Sequence, residues 1–180
     1  MSEAIKVEDA VQLLRTVAQH RDYVRVAIQR VTQELERRAL AHDLSKLNED
    51  EFAGFSRINR AAREHPYGSE QYRAGLRQEK PTIDLHYSRN SHHPEFHRDQ
   101  GGKPDPTDPS VNIGGLCVAG SMGFLDIIEM VCDWRGAYLG YGSQGSWQEN
   151  MERQRKRYEG WFTVGQWWLI NQVAGILEAS

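Results

Sequence analysis

The first forty residues carry apolar side chains at the spacing of an α-helix. From residue 7 to about residue 38 they recur at steps of three, four and seven, with Arg, Gln and Glu on the other faces and neither Pro nor Gly between them. The stripe consists of Val7, Val11, Leu14, Val17, Val24, Ile28, Val31 and Leu35. It predicts one long helix, or two helices joined by a bend. His20 lies close to the stripe, where its local interpretation is a histidine at the edge of the core.

Cap residues predict three shorter helices after this first segment. Asn48, with Glu51 three positions later, has the form of a capping box that begins a helix running to about Arg63. Glu51 and its acidic neighbours also favour a helix start through the helix dipole. Ser69 predicts the cap of a short helix, and Pro81 suits the first turn of another.

The second half of the chain predicts three more helices after a long irregular stretch. The segment from Ser121 to about Leu139 is apolar on most sides, which is typical of a central helix. Two further helices are predicted over residues 147–158 and 163–177. Residues 97–120 are rich in Pro and Gly and lack periodicity, so we expect a long irregular loop there, which is either functional or disordered. Since no segment alternates like a strand, the predicted fold class is all-α.

Composition narrows the class of protein. A chain of 180 residues with 39% hydrophobic and 26% charged residues fits one soluble domain over residues 1–180. The net charge of −3 gives no strong nucleic-acid signal. No apolar run approaches the ~20 residues that cross a bilayer, and no N-terminal signal segment is apparent. Two cysteines are too few for a secreted disulfide framework, so we expect a cytoplasmic protein.

Three polar side chains share one face of the helix predicted after Pro81. His86, Asn90 and His93 are spaced i, i+4, i+7. Metal or phosphate binding explains such a face better than solubility does. His92 lies off this face, unless Pro94 ends the helix and redirects it. We therefore keep His92 and Asn90 as candidates for either metal or substrate binding.

A second feature is the adjacent pair His42-Asp43, followed by Lys46. Neighbouring residues of a helix point about 100° apart, but both can hold one ion that lies over the helix edge. Imidazole and carboxylate together suit Mn, Fe, Co, Ni or Zn. The simpler alternative is a surface pair near a helix end.

A third feature is a row of carboxylates in the apolar helix near residue 130. Asp126, Glu129 and Asp133 are spaced i, i+3, i+7 on one face. Buried carboxylates are costly unless they are paired or bind a metal. They therefore indicate either a metal site or salt bridges to arginines such as Arg57 or Arg60.

Taken in order, these features resemble the HD-domain superfamily of metal-dependent phosphohydrolases, whose ligands follow the pattern H…HD…D on a helical core. The resemblance implies metal ligands at His20, His42, Asp43 and Asp133. Finer features are similar to an uncharacterised HD-like family of phages and bacteria. They are His20-x-x-Tyr23-Val24, His42-Asp43-x-Ser45-Lys46, Asn90-x-His92-His93-Pro94-Glu95 and Glu129-Met130-x-x-Asp133-Trp134.

Lys46 and the additional histidines also resemble binuclear HD proteins. These include cyclic-dinucleotide phosphodiesterases and mixed-valent di-iron oxygenases, although the Gly-Tyr-Pro signature of the former is missing. The resemblance implies a second metal held by His86 and His93. A carboxylate next to a histidine ligand can bridge two metals, and Asp43 is the candidate for this role. The expected cofactor is one or two divalent ions among Mn, Fe, Co, Ni, Mg and Zn.

The predicted chemistry is attack by metal-activated water on a small phosphorylated metabolite, with a nucleotide as the leading candidate. Asp43, Lys46 and Glu129 are the predicted catalytic residues, and Glu129 would orient a ligand or handle a proton. Lys46, Arg89 and Arg57 are the predicted phosphate-binding residues. The alternatives are a di-iron oxygenase and a metal-stabilised protein that binds or sequesters a nucleotide. The tryptophan-rich C-terminal helix could form a homo-oligomer face or simply be core.

Overall fold

A computed structural model describes residues 6–66, 68–98, 118–141 and 145–179. The chain divides into two compact units, Met1–His42 and Asp43–Ser180. Helices and their connections make up the described residues, without a strand, so the predicted all-α class is confirmed. Most of the loop predicted over residues 97–120 lies outside the described residues. The arrangement as a single HD-type domain stays a prediction.

The first unit is one helix, α1, over Val7–Ala41. The periodicity left open whether this segment bends, and the structure has it continuous over 35 residues. Two acidic residues in its first turn, Glu8 and Asp9, complement the positive end of the helix dipole. His20 lies within α1, and His42 caps its C-terminal end.

The second unit contains six α-helices within the described residues. They are α2 (Glu49–Glu64), α3 (Glu70–Gln78), α4 (Lys80–Arg89), α5 (Phe124–Gly140), α6 (Trp147–Arg157) and α7 (Val164–Glu178). Two 3₁₀ turns, Leu44–Leu47 and Pro94–His97, precede α2 and follow α4. These two turns are short connections next to α2 and α4, and both contain polar residues.

The predicted helix starts are largely confirmed. The hydroxyl of Ser69 accepts from the backbone N–H of Tyr72 at 3.2 Å, and Pro81 lies in the first turn of α4. By contrast, α5 begins after Gly123 and not after Ser121. The Ser121 hydroxyl lies instead 3.4 Å from His97 Nδ1.

The apolar core of the second unit lies between α5, α6, α7 and the segment that precedes α5. Fully buried side chains such as Ile127, Met130 and Ile170 each stabilise the fold by about 1.5–3 kcal/mol. The predicted central role of α5 is therefore confirmed. Trp168, on α7, is 64% exposed, and the predicted homo-oligomer stays a prediction.

Helices α2 and α4 approach each other closely at Gly54. A Cβ atom at this position would lie 2.6 Å from Cγ2 and 2.7 Å from Cβ of Thr82. Only glycine fits without a shift of one helix. One turn from this contact, Glu51 of α2 faces His86 of α4, so the close approach helps to position a polar pair.

Within the described ranges, no helix combines the length and the apolar character that spanning a membrane requires.

Candidate metal centre

Asp43 has a backbone conformation that is rare for a residue with a side chain. Its φ is 60° and its ψ is 7°, and no other non-glycine residue among those described has a positive φ. Aspartate tolerates this left-handed region better than most residues, yet at some cost in conformational energy. The conformation starts the 3₁₀ turn Leu44–Leu47, in which Lys46 N–H donates to the Asp43 carbonyl at 3.0 Å.

His86 presents one ring nitrogen to Asp43 and the other to a carboxylate behind it. The ring is 1% exposed, and Nδ1 lies 2.9 Å from Glu51 Oε2. Nε2 lies 3.1 Å from Asp43 Oδ1, but makes no hydrogen bond to any described residue. Two ligands of one ion at bond lengths of about 2.1 Å lie roughly 3.0–3.4 Å apart. The separation therefore suits two groups that share a metal.

His92 repeats this arrangement from the other side. The ring is 3% exposed, and Nδ1 lies 3.2 Å from Glu129 Oε1 of α5. Its Nε2 lies 3.6 Å from Asp43 Oδ1. One carboxylate oxygen of Asp43 is thus approached by two imidazoles, each of which has a glutamate on its far side.

His93 completes the group. Its ring centroid lies 4.2 Å from that of His92 and 4.9 Å from that of His86. Burial, together with the neighbouring imidazoles, lowers the pKa of His93 to about 2. The ring is therefore neutral at physiological pH, and a neutral imidazole has a lone pair for a metal. Ligand atoms of Asp43, His86, His92 and His93 all lie within 4.8 Å of one another.

The chain reaches this arrangement by ending α4 early. The predicted helical face of His86, Asn90 and His93 is wrong, because α4 ends at Arg89. The Asn90 side-chain amide donates to the His86 carbonyl at 2.8 Å, where the backbone N–H four residues later would donate in a continuing helix. A tight turn follows, with His93 N–H bonded to the Asn90 carbonyl at 3.1 Å.

The turn changes the roles of two candidates. His92, which the helical spacing places off the face, joins His86 and His93. Asn90 is directed toward the His86 carbonyl and toward Ser45 Oγ, at 2.8 and 3.0 Å. Its contacts are those of a residue that holds the turn.

Glu51 is the residue that sequence reasoning assigned to another purpose. Asn48 does precede α2, but its side chain makes no cap bond, so the predicted capping box is wrong. Glu51 is 0% exposed. Its Oε2 faces His86 Nδ1, and its Oε1 accepts a hydrogen bond from Arg89 Nη1 at 3.2 Å. A usable signal was present, since Glu51 falls on the same helical face as Phe55 and Ile58.

Among the residues predicted to bind phosphate, Lys46 lies next to the candidate metal centre. Its ammonium group donates to Asp43 Oδ2 and lies 4.9 Å from the ring centroid of Phe55. Oδ1 of the same carboxylate faces His86 and His92. Lys46 thus touches the proposed ligand on the side away from the histidines.

The two predicted arginines are held by carboxylates in this structure. Arg57 forms a bidentate pair with Glu79 at 2.5 and 2.8 Å. Arg89 pairs with Asp50 at 2.7 Å and with Glu51 at 3.2 Å. Their phosphate-binding roles stay predictions.

The carboxylates of α5 face the turn after α4. Asp126 accepts a hydrogen bond from Ser91 Oγ at 2.6 Å, and Glu129 faces His92. A carboxylate oxygen of Asp133 lies within 4.8 Å of a ring nitrogen of His92. Arg57, one of the arginines predicted as an alternative partner of this row, pairs with Glu79 in this structure, and salt bridges from the row to arginines such as Arg57 or Arg60 stay a prediction.

His20 and His42 belong to the first unit. His20 lies within α1, and His42 immediately precedes Asp43 in the chain. Their roles as metal ligands stay predictions.

The donor set fits some of the expected metals better than others. Three imidazole nitrogens and one carboxylate oxygen suit Zn, Fe, Co, Ni or Mn. Magnesium prefers oxygen ligands and retains several waters, so it fits this group poorly. The chemistry of these donor atoms therefore favours Zn, Fe, Co, Ni and Mn over Mg among the expected ions.

Comparison with known proteins gives one match. The profile of a family of unknown function, DUF5662, matches residues 10–179. No curated protein and no solved structure matches the chain.

Proposed function

We propose that this chain, which belongs to the DUF5662 family, binds a divalent ion through Asp43, His86, His92 and His93 and hydrolyses a small phosphorylated metabolite. A nucleotide is the leading candidate substrate. The observation that carries the proposal is the convergence of four ligand atoms within 4.8 Å, with His86 Nε2 aimed at Asp43 Oδ1. Zn, Fe, Co, Ni and Mn are the candidate ions.

Hydrolysis is favoured by the charge next to the proposed ligands. When bound, such an ion polarises a phosphoryl oxygen and lowers the pKa of water toward neutrality. Lys46 adds a half-buried ammonium group beside Asp43. An ammonium group that donates to a phosphate forms a charge-assisted hydrogen bond, which is stronger than a neutral one. Glu129 Oε1 lies 3.2 Å from His92 Nδ1, on the side of the ring away from Asp43, where it would orient this ligand.

The first experiment measures metal content by elemental analysis. Protein reconstituted with each candidate ion should retain at least one ion per chain. The double variant His86→Ala/His93→Ala should lose it, because two of the four ligands are removed. His65→Ala is the matched control, since His65 lies at the opposite end of α2 from Glu51. Stoichiometric metal in the double variant, or none in the wild type, would contradict the proposal.

The second experiment tests the reaction. Metal-loaded protein is incubated with a panel of nucleotides, phosphomonoesters and phosphodiesters, and release of phosphate or nucleoside is measured. Release should disappear in the double variant. If the loaded protein releases nothing, the hydrolase assignment fails. Iron binding with oxygen consumption would indicate the di-iron oxygenase instead.

A metal-stabilised binding protein is the second candidate, and one observation favours it. Four protein ligands are the number that closes a tetrahedral zinc site. Ions that accept five or six ligands would leave positions open for substrate. A protein that binds zinc tightly, is stabilised by a nucleotide and shows no turnover would support this second function.

A further inference from the structure

We propose that Glu51 is a positioning residue for the metal centre. It holds His86 in the tautomer with the proton on Nδ1, so that the Nε2 lone pair faces Asp43. The metal-binding part of this inference rests on the proposed function. The tautomer itself is a property of the chain and can be measured without any metal.

The hydrogen bonds around His86 Nδ1 determine which group carries the proton. Ser45 Oγ lies 3.0 Å from His86 Nδ1 and 3.1 Å from Glu51 Oε2, and its single proton is donated to the carboxylate, because a charged acceptor forms the stronger hydrogen bond. Asn90 Nδ2 also lies 3.1 Å from His86 Nδ1, but its two protons are donated to the two closer acceptors, the His86 carbonyl at 2.8 Å and Ser45 Oγ at 3.0 Å. Neither neighbour therefore has a proton left for His86 Nδ1.

The remaining contact of Nδ1 is Glu51 Oε2 at 2.9 Å. A carboxylate accepts hydrogen bonds, so the imidazole is the donor. In a neutral ring, a proton on Nδ1 leaves the lone pair on Nε2. That nitrogen lies 3.1 Å from Asp43 Oδ1 and is buried without a hydrogen bond to any described residue. The lone pair of Nε2 therefore faces Asp43, as it would if both groups bound one metal ion.

The negative charge on Glu51 is compensated on its other side. The carboxylate is 0% exposed, a position in which an unpaired charge would be very costly. Arg89 Nη1 donates to Oε1 at 3.2 Å, and Arg89 is held in turn by Asp50 at 2.7 Å. Glu51 also lies in the first turn of α2, where the helix dipole favours an anion. The carboxylate is thus fixed in place as an acceptor for His86.

Glu129 has the same relation to His92 on the opposite side of Asp43. The two glutamates differ in burial, since the Glu129 side chain is 13% exposed and that of Glu51 is inaccessible. Glu51 therefore offers the cleaner test, because solvent cannot replace its carboxylate as the partner of the ring.

The test uses two readouts on Glu51→Gln and Glu51→Ala. Long-range ¹H–¹⁵N correlation spectra of metal-free protein report the tautomer of His86, which is assigned with His86→Asn. Competition with a chromophoric chelator reports metal affinity. We expect the wild type to show the Nδ1–H tautomer and Glu51→Ala to lose it. Metal affinity should fall about 10–100-fold in Glu51→Ala, as is typical for partners of metal-bound histidines.

Glu49→Ala is the matched control, because Glu49 is an exposed carboxylate in the same turn of α2. It should change neither readout. If Glu51→Ala does not fold, as judged by circular dichroism, Glu51→Gln carries the test. The amide of Glu51→Gln cannot accept from Ser45, Arg89 and His86 as a carboxylate does. We therefore expect it to lose some of the Nδ1–H tautomer and of the metal affinity, though less than Glu51→Ala does.

The outcomes separate this inference from the proposed function. If the wild-type protein binds no metal, the proposed function is wrong. The tautomer of His86 then still tests whether Glu51 positions the ring. A wild type with the Nε2–H tautomer overturns the inference even if metal binds. Variants that fold and keep both the wild-type tautomer and the wild-type affinity also overturn it.

Discussion

Asp43 combines three features in one residue. Its backbone is left-handed, its Oδ1 faces two histidines, and its Oδ2 accepts from Lys46. Sequence reasoning identified Asp43 because a His-Asp pair with a nearby lysine is a recognisable pattern. The backbone conformation is not encoded in that pattern, since aspartate is found in ordinary helical positions as well. Strain at a residue with a proposed function is an observation that supports the function.

The cost of this conformation can be measured by comparing two substitutions. Asp43→Gly and Asp43→Ala both remove the carboxylate, and both should abolish metal binding. They differ in the left-handed region, which glycine adopts freely and alanine does not. We expect the glycine variant to be more stable than the alanine variant by about 1–2 kcal/mol, measured by urea unfolding without metal. Equal stabilities would show that the residue relaxes to another conformation in solution.

Lys46 has two possible roles, and they predict different kinetics. If it binds the substrate phosphate, Lys46→Met should keep the metal and raise the KM about 10–100-fold, which corresponds to a charged hydrogen bond of about 1.5–3 kcal/mol. If it only holds Asp43, metal affinity should fall and the KM should not change. Lys80→Met serves as control, because Lys80 is an exposed lysine paired with Asp84. A rate, KM and metal content equal to the wild type would exclude both roles.

Single residues of the site were predictable to different degrees. His86 and His93 were predicted as ligands from their spacing after Pro81, and Asp43 was predicted from the adjacent His-Asp pair. The reasoning about His86 and His93 assumed one helix, and their proximity depends instead on a turn made by Asn90. Glu51 was missed because a glutamate near a helix start is common. Which way it faces depends on the packing of α4 against α2, which no local pattern encodes.

At the level of helices, the periodic patterns were a good guide and the boundaries were less so. The helical character of the first segment and of the apolar α5 was predicted from the spacing of their apolar residues. The end of α4 was not, because one side-chain hydrogen bond competes with the helix there. The close approach at Gly54 is also invisible in the sequence, since a glycine within a helix normally only weakens it.

The contact at Gly54 predicts opposite effects for two similar substitutions. Gly54→Ala places a methyl group against Thr82, and overpacking of this kind costs about 1–3 kcal/mol. Gly136→Ala, in α5, meets no atom within 4 Å and should stabilise the protein by about 0.5–1 kcal/mol. Both are measured by thermal and urea unfolding. A stabilised Gly54→Ala variant would show that the helices separate without cost.

If Gly54→Ala forces α2 and α4 apart, it should also disturb Glu51 and His86, one turn away. Combining it with Thr82→Gly makes room for the methyl group. The double variant should therefore recover metal affinity that the single variant loses. Failure of this rescue would mean that Gly54 affects the site by another route.

At the scale of the whole second unit, the proposed ligands come from a short part of the chain. Asp43, His86, His92 and His93 lie within residues 43–93, and α5 contributes the carboxylates that face them. A bound ion would therefore connect the 3₁₀ turn before α2, helix α4 and the turn that follows it. The sequence predicted the helices and several of the proposed ligands, but not how they connect, because that depends on contacts between residues of different elements.

Removal of the metal should lower the stability of the protein. An ion at 100 times its dissociation constant stabilises the folded state by about 2.7 kcal/mol, which corresponds to roughly 5–10 °C in Tm for a chain of this size. We expect a chelator to lower the Tm of the loaded wild type by that amount and to leave His86→Ala/His93→Ala unaffected. An unchanged Tm in protein shown to lose its metal would mean that the ion does not couple to folding.

The turn between α4 and the second 3₁₀ turn is fixed from two directions. Asn90 ties it to Ser45 and α4, and Ser91 and His92 tie it to Asp126 and Glu129 of α5. An ion bound to His92 and His93 would act on a segment that is already joined to the core helix. Amide hydrogens of α5 should then exchange more slowly with solvent deuterium when the ion is present. Binding of an ion at the centre could thus be measured from the amide exchange rates of α5, a helix that supplies none of the four proposed ligands. This measurement does not require a known substrate.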